Sequence, residues 1–585
     1  MEIRPDMARN ITEIDISKRQ FLAMTGTLTG ASLAGCAGGD PSSSGGGDTG
    51  GSDSTSDDTA SSGGDPVRLN VAIASEPWNF DPALWADTGS SAIGSLIYDE
   101  IIELTPETEL APGLVEEVPT PTDDGNFEYT LREGIEFHNG DPVTVEDFKY
   151  SVDWILNPDN NSPIRRRIPN VASTEIVGDR TLRFNMETTF TTLNWWLTRG
   201  IEGIVPEGSR GSAKEREGPT GIETALTTDP SGYGTGPFQF VEWNSGQNLL
   251  LEKNENYWKE GIPNVDEINF QFIPEDSTRL ANLRSSSTDL TSAIPAKDFQ
   301  SLKDAPGIEA TSKPGNSTQV IYMNLMEAEG NPMSNVNNRR AVQWAVDAEE
   351  ILDEIFYGLG EVQAGPWYKD SEWTSPKLKE MEMYDPDKAR RELEKAGNPD
   401  GFEFRLLTTQ GGHFKDEAVV IQNQLSKVGI DMEIVVLEKS ALFDQVYGTT
   451  DWHAALESWT NAVPVVTYWL SAGFVPNNRN HNNWHHQTDD LEDPFEPSGP
   501  PAPSDAEGDF SNGHDWYVQT LQKAQQTADE QEQKELVYRL EEYLVENAIQ
   551  VDLAYTSKLA AWDESVSGYG LGSFASEMRS VSKDA

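Results

Sequence analysis

Phe402-Glu403-Phe404-Arg405-Leu406-Leu407-Thr408 is a short, mostly apolar run, followed by a helical stretch over Lys415 to Val428 and a second run, Ile430 to Leu437. Strand, helix, strand at this spacing is the unit of a parallel α/β sheet, because parallel strands need a crossover long enough to hold a helix. Just upstream, Asp387 to Ala396 reads as a helix stopped by Gly397, with Pro399 beyond. Asn338 to Phe356 and Gln519 to Asn547 carry the clearest amphipathic periodicity. Toward the N-terminus, Val67 to Ile73 alternates as a strand, Ala92 to Leu104 is a helix-like apolar stretch, and Phe127 to Leu131 is a short strand. Val145 to Leu156 reads as a helix with Thr144 as N-cap and Asp147 in its first turn. The expected fold class is α/β in two lobes, rather than a helical bundle or a β-sandwich. Leu491 to Asn512, rich in proline and acids, reads as an exposed loop.

The chain has 585 residues, with 98 Asp plus Glu against 43 Lys plus Arg, a net charge of −55, and one cysteine. Its length allows several domains or lobes at roughly 100–200 residues each. The charge argues against binding to nucleic acid or an anionic membrane through a basic face, since a polyanion meets repulsion almost everywhere. A single cysteine excludes a disulfide within the chain. Surface carboxylates in this excess repel each other unless screened, and high ionic strength shortens the Debye length to a few ångströms while they keep the surface hydrated. A halophilic source is the expectation.

Ser17-Lys18-Arg19-Gln20-Phe21-Leu22 sets a basic pair ahead of a weakly apolar run, Leu22 to Ala34, which is too short to cross a bilayer core of ~30 Å. It reads as an export signal of twin-arginine type, with Lys18 where the first arginine is usual. The run ends Leu33-Ala34-Gly35-Cys36, the form of a lipobox, which makes Cys36 the expected lipidation site and the membrane a partner through a lipid anchor. Residues 37–65 are Gly, Ser, Asp and Thr with almost nothing apolar, and read as a disordered tether.

Five stretches, in order along the chain, resemble the extracellular solute-binding proteins of the family 5 peptide/nickel type, the substrate-capturing components of ATP-driven importers. They are Asp81-Pro82 with Ile97-Tyr98-Asp99-Glu100-Ile101-Ile102-Glu103-Leu104; Leu131-Arg132-Glu133-Gly134-Ile135-Glu136-Phe137-His138-Asn139-Gly140 with Val145-Glu146-Asp147-Phe148; Gly234-Thr235-Gly236-Pro237-Phe238 with Asn254-Glu255-Asn256-Tyr257-Trp258; Tyr322-Met323-Asn324-Leu325 with Arg340-Ala341-Val342-Gln343-Trp344-Ala345-Val346-Asp347; and Tyr384-Asp385-Pro386-Asp387-Lys388-Ala389-Arg390 with Ala396-Gly397. The resemblance implies a two-lobed periplasmic-binding-protein-like fold with a hinge and an extra subdomain in the first lobe. It implies lobe I over 66–320, with the subdomain at about 106–234, lobe II over 321–550, and a return to lobe I over 551–585. Hinge crossings are expected near Lys313 to Ile321 and Gln550 to Leu553. It further implies a monomer that closes on a peptide or peptide-like solute and hands it to the permease and ATPase of the importer, with no cofactor, no resident metal and no catalysis.

Peptide-binding relatives carry a Trp-Thr-Gly-Asp-like motif whose Asp pairs with the peptide's ammonium; here the matching stretch is Trp459-Thr460-Asn461, with Ala462 at the Asp position. A buried ammonium left without a counter-charge costs several kcal/mol, on the order of the penalties for an unpaired ion. An oligosaccharide or a nickel chelate therefore stands as the alternative cargo. Asp87-Thr88-Gly89 falls where the first lobe's cleft loop is expected. Trp78, Trp85, Trp367, Trp459, Trp469 and Trp484 lie in or beside loop-like segments, where tryptophan could stack on sugars or line an apolar cleft, and Trp367 and Trp484 join the candidate site. Core packing is the plainer reading for any one of them. His481 and His485, four apart with His486 beside them, would suit a metal only on a helix, and their Asn-rich setting reads as loop. The glycines of Gly232 to Gly236 precede no helix and no Lys-Ser/Thr pair, so turn geometry rather than phosphate binding accounts for them. His138 reads as a hydrogen-bonded structural residue.

Overall fold

The computed structural model describes residues 66–584 apart from 86, 189, 211–224, 476–481, 483, 485–498, 507, 509, 511 and 573–575. The export signal, Cys36, the tether and the three histidines His481, His485 and His486 thus lie outside the described residues.

An 11-stranded sheet forms the frame, and two long antiparallel strands, Ile308–Met323 and Gln550–Asp563, run through its middle. Ile308 to Lys313 pairs with Lys558 to Asp563; beyond one register shift Ser317 to Gln319 pairs with Ala554 to Thr556, and beyond a second Val320 to Tyr322 pairs with Gln550 to Asp552. On one side the sheet continues through Leu290–Thr291, Arg68–Ile73, Glu267–Phe272, Asn248–Lys253 and Phe238–Asn244. On the other it continues through Ala454–Thr460, Glu403–Thr409 and Asp431–Leu437. These two halves, each with its own apolar core, are the two lobes. Leu69, Phe80, Trp85, Ile268 and Phe270 are among the first core, and Ile321, Trp344, Leu406, Ile421 and Leu456 among the second.

The strand–helix–strand unit stands as expected: Glu403–Thr409 and Asp431–Leu437 pair in parallel around the helix Phe414–Ser426. The first register shift in the long strands, between Lys313 and Ser317, has a local cause. A Cβ on Gly315 would meet the Thr556 carbonyl oxygen at 1.8 Å, so only glycine lets the strands cross this closely. Tyr368 pins the turn by donating to the Gly315 carbonyl at 2.9 Å and stacking on Tyr555 at 4.0 Å.

A smaller sheet, Phe127–Thr130, Thr181–Met186 and Val171–Ile176, packs with the helix Val145–Leu156 around a third core. That helix has the expected cap: Thr144 Oγ1 accepts from the Asp147 N–H at 3.2 Å and the Asp147 carboxylate accepts from the Thr144 N–H at 2.9 Å.

Three elements differ from their sequence readings. Ala92 to Leu104 is the end of the helix Thr88–Ile97 and then a strand, Ile102–Leu104, because Tyr98 turns extended and its N–H closes the helix on Gly94. Asn338 to Phe356 is two helices, Val336–Ala345 and Ala348–Phe356, separated where the Asp347 carboxylate caps the second by accepting from the Glu349 and Glu350 N–H groups. Gln519 to Asn547 likewise divides into Gly513–Gln526 and Glu530–Glu546, with Asp529 capping the latter. An Asp offered to free N–H groups competes with helix continuation, and apolar periodicity carries no trace of the break.

Candidate functional site

A cavity of about 1010 Å³ lies between the lobes. Its walls come from the first lobe (Ile73, Gly89, Ser91, Phe270), the second (Phe356, His413, Thr460, Ala462) and the hinge strands (Asn316, Ser317, Lys558). The volume is at the upper end of the range of about 300–1,000 Å³ for small-molecule sites.

The end of the strand Ala454–Thr460 decides which of the Trp459–Ala462 residues reach it. Thr460, the last residue of the strand Ala454–Thr460, and Ala462 just beyond it line the cavity, while Trp459, on the strand's other face, and Asn461 point away. Trp459 packs against an aromatic core. Asn461 is fully buried; its amide donates to the Tyr555 hydroxyl at 2.8 Å and its backbone N–H to the Asn316 carbonyl at 2.8 Å. It braces the hinge instead of offering an amide to solute. Gly89 lines the cavity, Thr88 opens the helix behind it, and Asp87 caps that helix by accepting from the Ser90 N–H at 2.7 Å.

The tryptophans are elsewhere. Trp367 and Trp484 are buried in one core with Trp469 and Trp516, Trp484 stacked on Tyr543 at 5.9 Å, while Trp85 is in the first-lobe core and Trp78 is 74% exposed. None of the tryptophans lines the cavity among the described residues, and its aromatic groups are Phe270, Phe356, Tyr357, His413 and Tyr569. His138 Nε2–H donates to the Gly236 carbonyl at 3.0 Å, and burial lowers its pKa to about 4, so it is a neutral structural group.

Charge is what the sequence reading missed. Arg579 meets Glu100 at 2.9 Å, Glu103 at 2.9 Å and Asp99 at 3.1 Å, and Lys259 also holds Glu103. Three carboxylates face two cations there, and burial, opposed by Arg579, raises Glu100 to about 7. Elsewhere on the wall, Arg199 donates to Ser91 Oγ at 2.7 Å and to Glu202 at 3.0 Å, and Arg167 reaches the same Glu202 at 3.3 Å. Lys558, lowered to about 8 by burial and by Arg199, completes this side. The cleft thus offers a cationic region and an acidic one, the complement of a solute carrying both signs. One signal was present in the sequence: Lys558 interrupts an otherwise mostly apolar stretch, Leu553 to Trp562.

Two lobes joined by paired strands, with a cavity lined from both, define the class of bilobal solute-binding proteins. Residues 109–481 match the family model described as "Bacterial extracellular solute-binding proteins, family 5 Middle", and the chain belongs to that family. The glutathione-binding protein GsiB of Salmonella typhi is 27% identical over 387 residues, 65% of this chain and 71% of the relative. Among solved structures, the ABC transporter-associated periplasmic binding protein DppA from Helicobacter pylori in complex with peptide STSA superposes with TM-score 0.69 at 21% identity, over 89% of this chain and 99% of that one. The dipeptide binding protein from Pseudoalteromonas sp. SM9913 in complex with Met-Leu gives TM-score 0.72 at 19% identity, over 88% and 100%.

Proposed function

We propose that this protein captures a peptide or peptide-like solute between its lobes and delivers it to the permease and ATPase of an ABC importer. The observation that carries the reading is the cavity of about 1010 Å³ lined by both lobes and by groups of both charge signs. Relatives named for glutathione and for peptides support the same cargo class. Ala462 removes the usual ammonium partner from the second lobe, and Glu100 and Glu103, which line the cavity, offer a counter-charge on the first. An oligosaccharide is less well served, because no tryptophan platform lines the cavity among the described residues.

Closure follows from bridging: a solute touching both lobes stabilises the form in which both can reach it. In this reading the hinge lies near Lys313 to Ile321 and Gln550 to Leu553, where the paired strands shift register at Lys313/Ser317 and again at Gln319/Val320. The protein acts as a monomer on the outer face of the cell membrane, held by lipid on Cys36 through the 37–65 tether after export, in a halophilic, haloarchaeal cell. The test is a thermal-shift screen of the full chain in molar salt against short peptides, sugars and nickel chelates. A ligand specific to the folded state adds about 2.7 kcal/mol at a hundredfold excess over its Kd. Peptide hits support the reading; sugar or chelate hits with peptides silent replace the cargo.

A further inference from the structure

Acids outnumber bases 98 to 43 in this chain, yet one wall of the cleft collects cations. Arg167 and Arg199 share the single carboxylate of Glu202, which is 1% exposed. Lys558 lines the cavity beside them and, among the described residues, has no hydrogen bond and no ion pair. Its cross-strand partner in the hinge ladder is another lysine, Lys313. Lys558 is partly buried, with Arg199 the cation acting on it, and a cation withdrawn from water without a counter-charge is costly. An anion entering the cavity would supply the counter-charge that Lys558 lacks.

We infer that Lys558, with Arg199 beside it, is the anchor for a carboxylate of the solute, in the simplest case the C-terminal carboxylate of a short peptide. This rests on the reading of the cleft as the solute site. The acidic set around Arg579 then lies at the solute's other pole, which fixes the direction in which a peptide enters.

The experiment compares matched pairs by calorimetric titration of the full chain: peptides with a free C-terminus against the same peptides amidated, and sugar acids against the parent sugars. Wild type is expected to bind the free acid on the order of thirtyfold tighter or more, and Lys558→Gln to bring acid and amide within about twofold of each other. Lys558→Gln is expected to melt no lower than wild type, because it removes an unpartnered charge. Should it fail to fold, Lys558→Met carries the same comparison with the apolar stem kept. Equal binding of acid and amide by wild type, or discrimination that survives in the variants, overturns the anchor and leaves the peptide reading standing. Silence of all peptides defeats the peptide reading instead. The sugar-acid pair then decides, with preference for the acid supporting the anchor, and preference for the neutral sugar, or no binding at all, overturning it.

Discussion

Trp196, beside the smaller sheet of the first lobe, packs edge-on against Tyr468 of the second, ring centroids 4.7 Å apart. Both are nearly buried, Phe190 covers Trp196 from another side at 5.4 Å, and Val463 joins the same cluster. This contact bridges the two lobes. An aromatic pair contributes about 0.5–1.5 kcal/mol beyond its buried area. Tyr468→Ala should therefore shift the open–closed balance roughly two- to tenfold toward open. Small-angle scattering of the solute-free chain should show a larger radius of gyration, with solute affinity weakened by a similar factor. An unchanged radius and affinity would mean that this contact does not hold the lobes.

The Gly234-Thr235-Gly236 stretch is a close crossing. A Cβ at Gly234 would lie 2.1 Å from the Ile97 carbonyl oxygen and 2.6 Å from the His138 ring. Gly234→Ala should cost about 1–3 kcal/mol or more through overpacking, read as a lower denaturation midpoint at unchanged slope. Loss of binding without loss of stability would point to a ligand role instead.

Glu417 is fully buried, neither carboxylate oxygen has a hydrogen bond in the described structure, and burial raises its pKa to about 8. The nearby His413 is lowered to about 4 by burial, so it brings no charge at neutral pH. The unfolded chain loses this carboxyl proton near pH 4.5 and the folded chain near about 8. Stability is thus intact below the lower value and falls as pH rises through the window. Glu417→Gln should leave thermal stability unchanged at about pH 4.5 and raise it by on the order of 2–4 kcal/mol by about pH 8. Equal effects at both pH values would show that Glu417 is not titrating in the fold.

Net charge of −55 sets the salt response. Screening contracts the Debye length from about 10 Å at 0.1 M to about 3 Å at 1 M. The melting temperature should climb steadily with KCl into the molar range, and dialysis to low salt should unfold the chain. A melting temperature indifferent to salt would remove the halophilic reading.

The strand–helix–strand unit at 402–437 and the Thr144–Asp147 cap were legible because each is local: periodicity and a capping residue within one turn suffice. Helix breaks at Asp347 and Asp529 were not, since apolar spacing runs through them and only the cap geometry reveals the stop. At the site, the family motif located the Trp459–Ala462 segment, but which side chains face the cavity depends on how the backbone leaves the strand at Thr460, which turns Asn461 inward to Tyr555. Trp367 and Trp484 look alike in sequence whether they line a cleft or fill a core. Lys558 stands out in sequence only as a lysine in a mostly apolar stretch. Its isolation becomes visible only once the hinge register sets it opposite Lys313 and the fold brings Arg199 alongside.

The most direct test is calorimetric titration of the full chain, in molar salt and at several temperatures, with pooled di- to pentapeptides. The account predicts saturable binding of one solute per chain with a negative heat-capacity change, as both lobes bury apolar surface on closing. A folded chain that gives no saturable heat with any peptide pool, while a neutral sugar or a nickel chelate titrates cleanly, would contradict it.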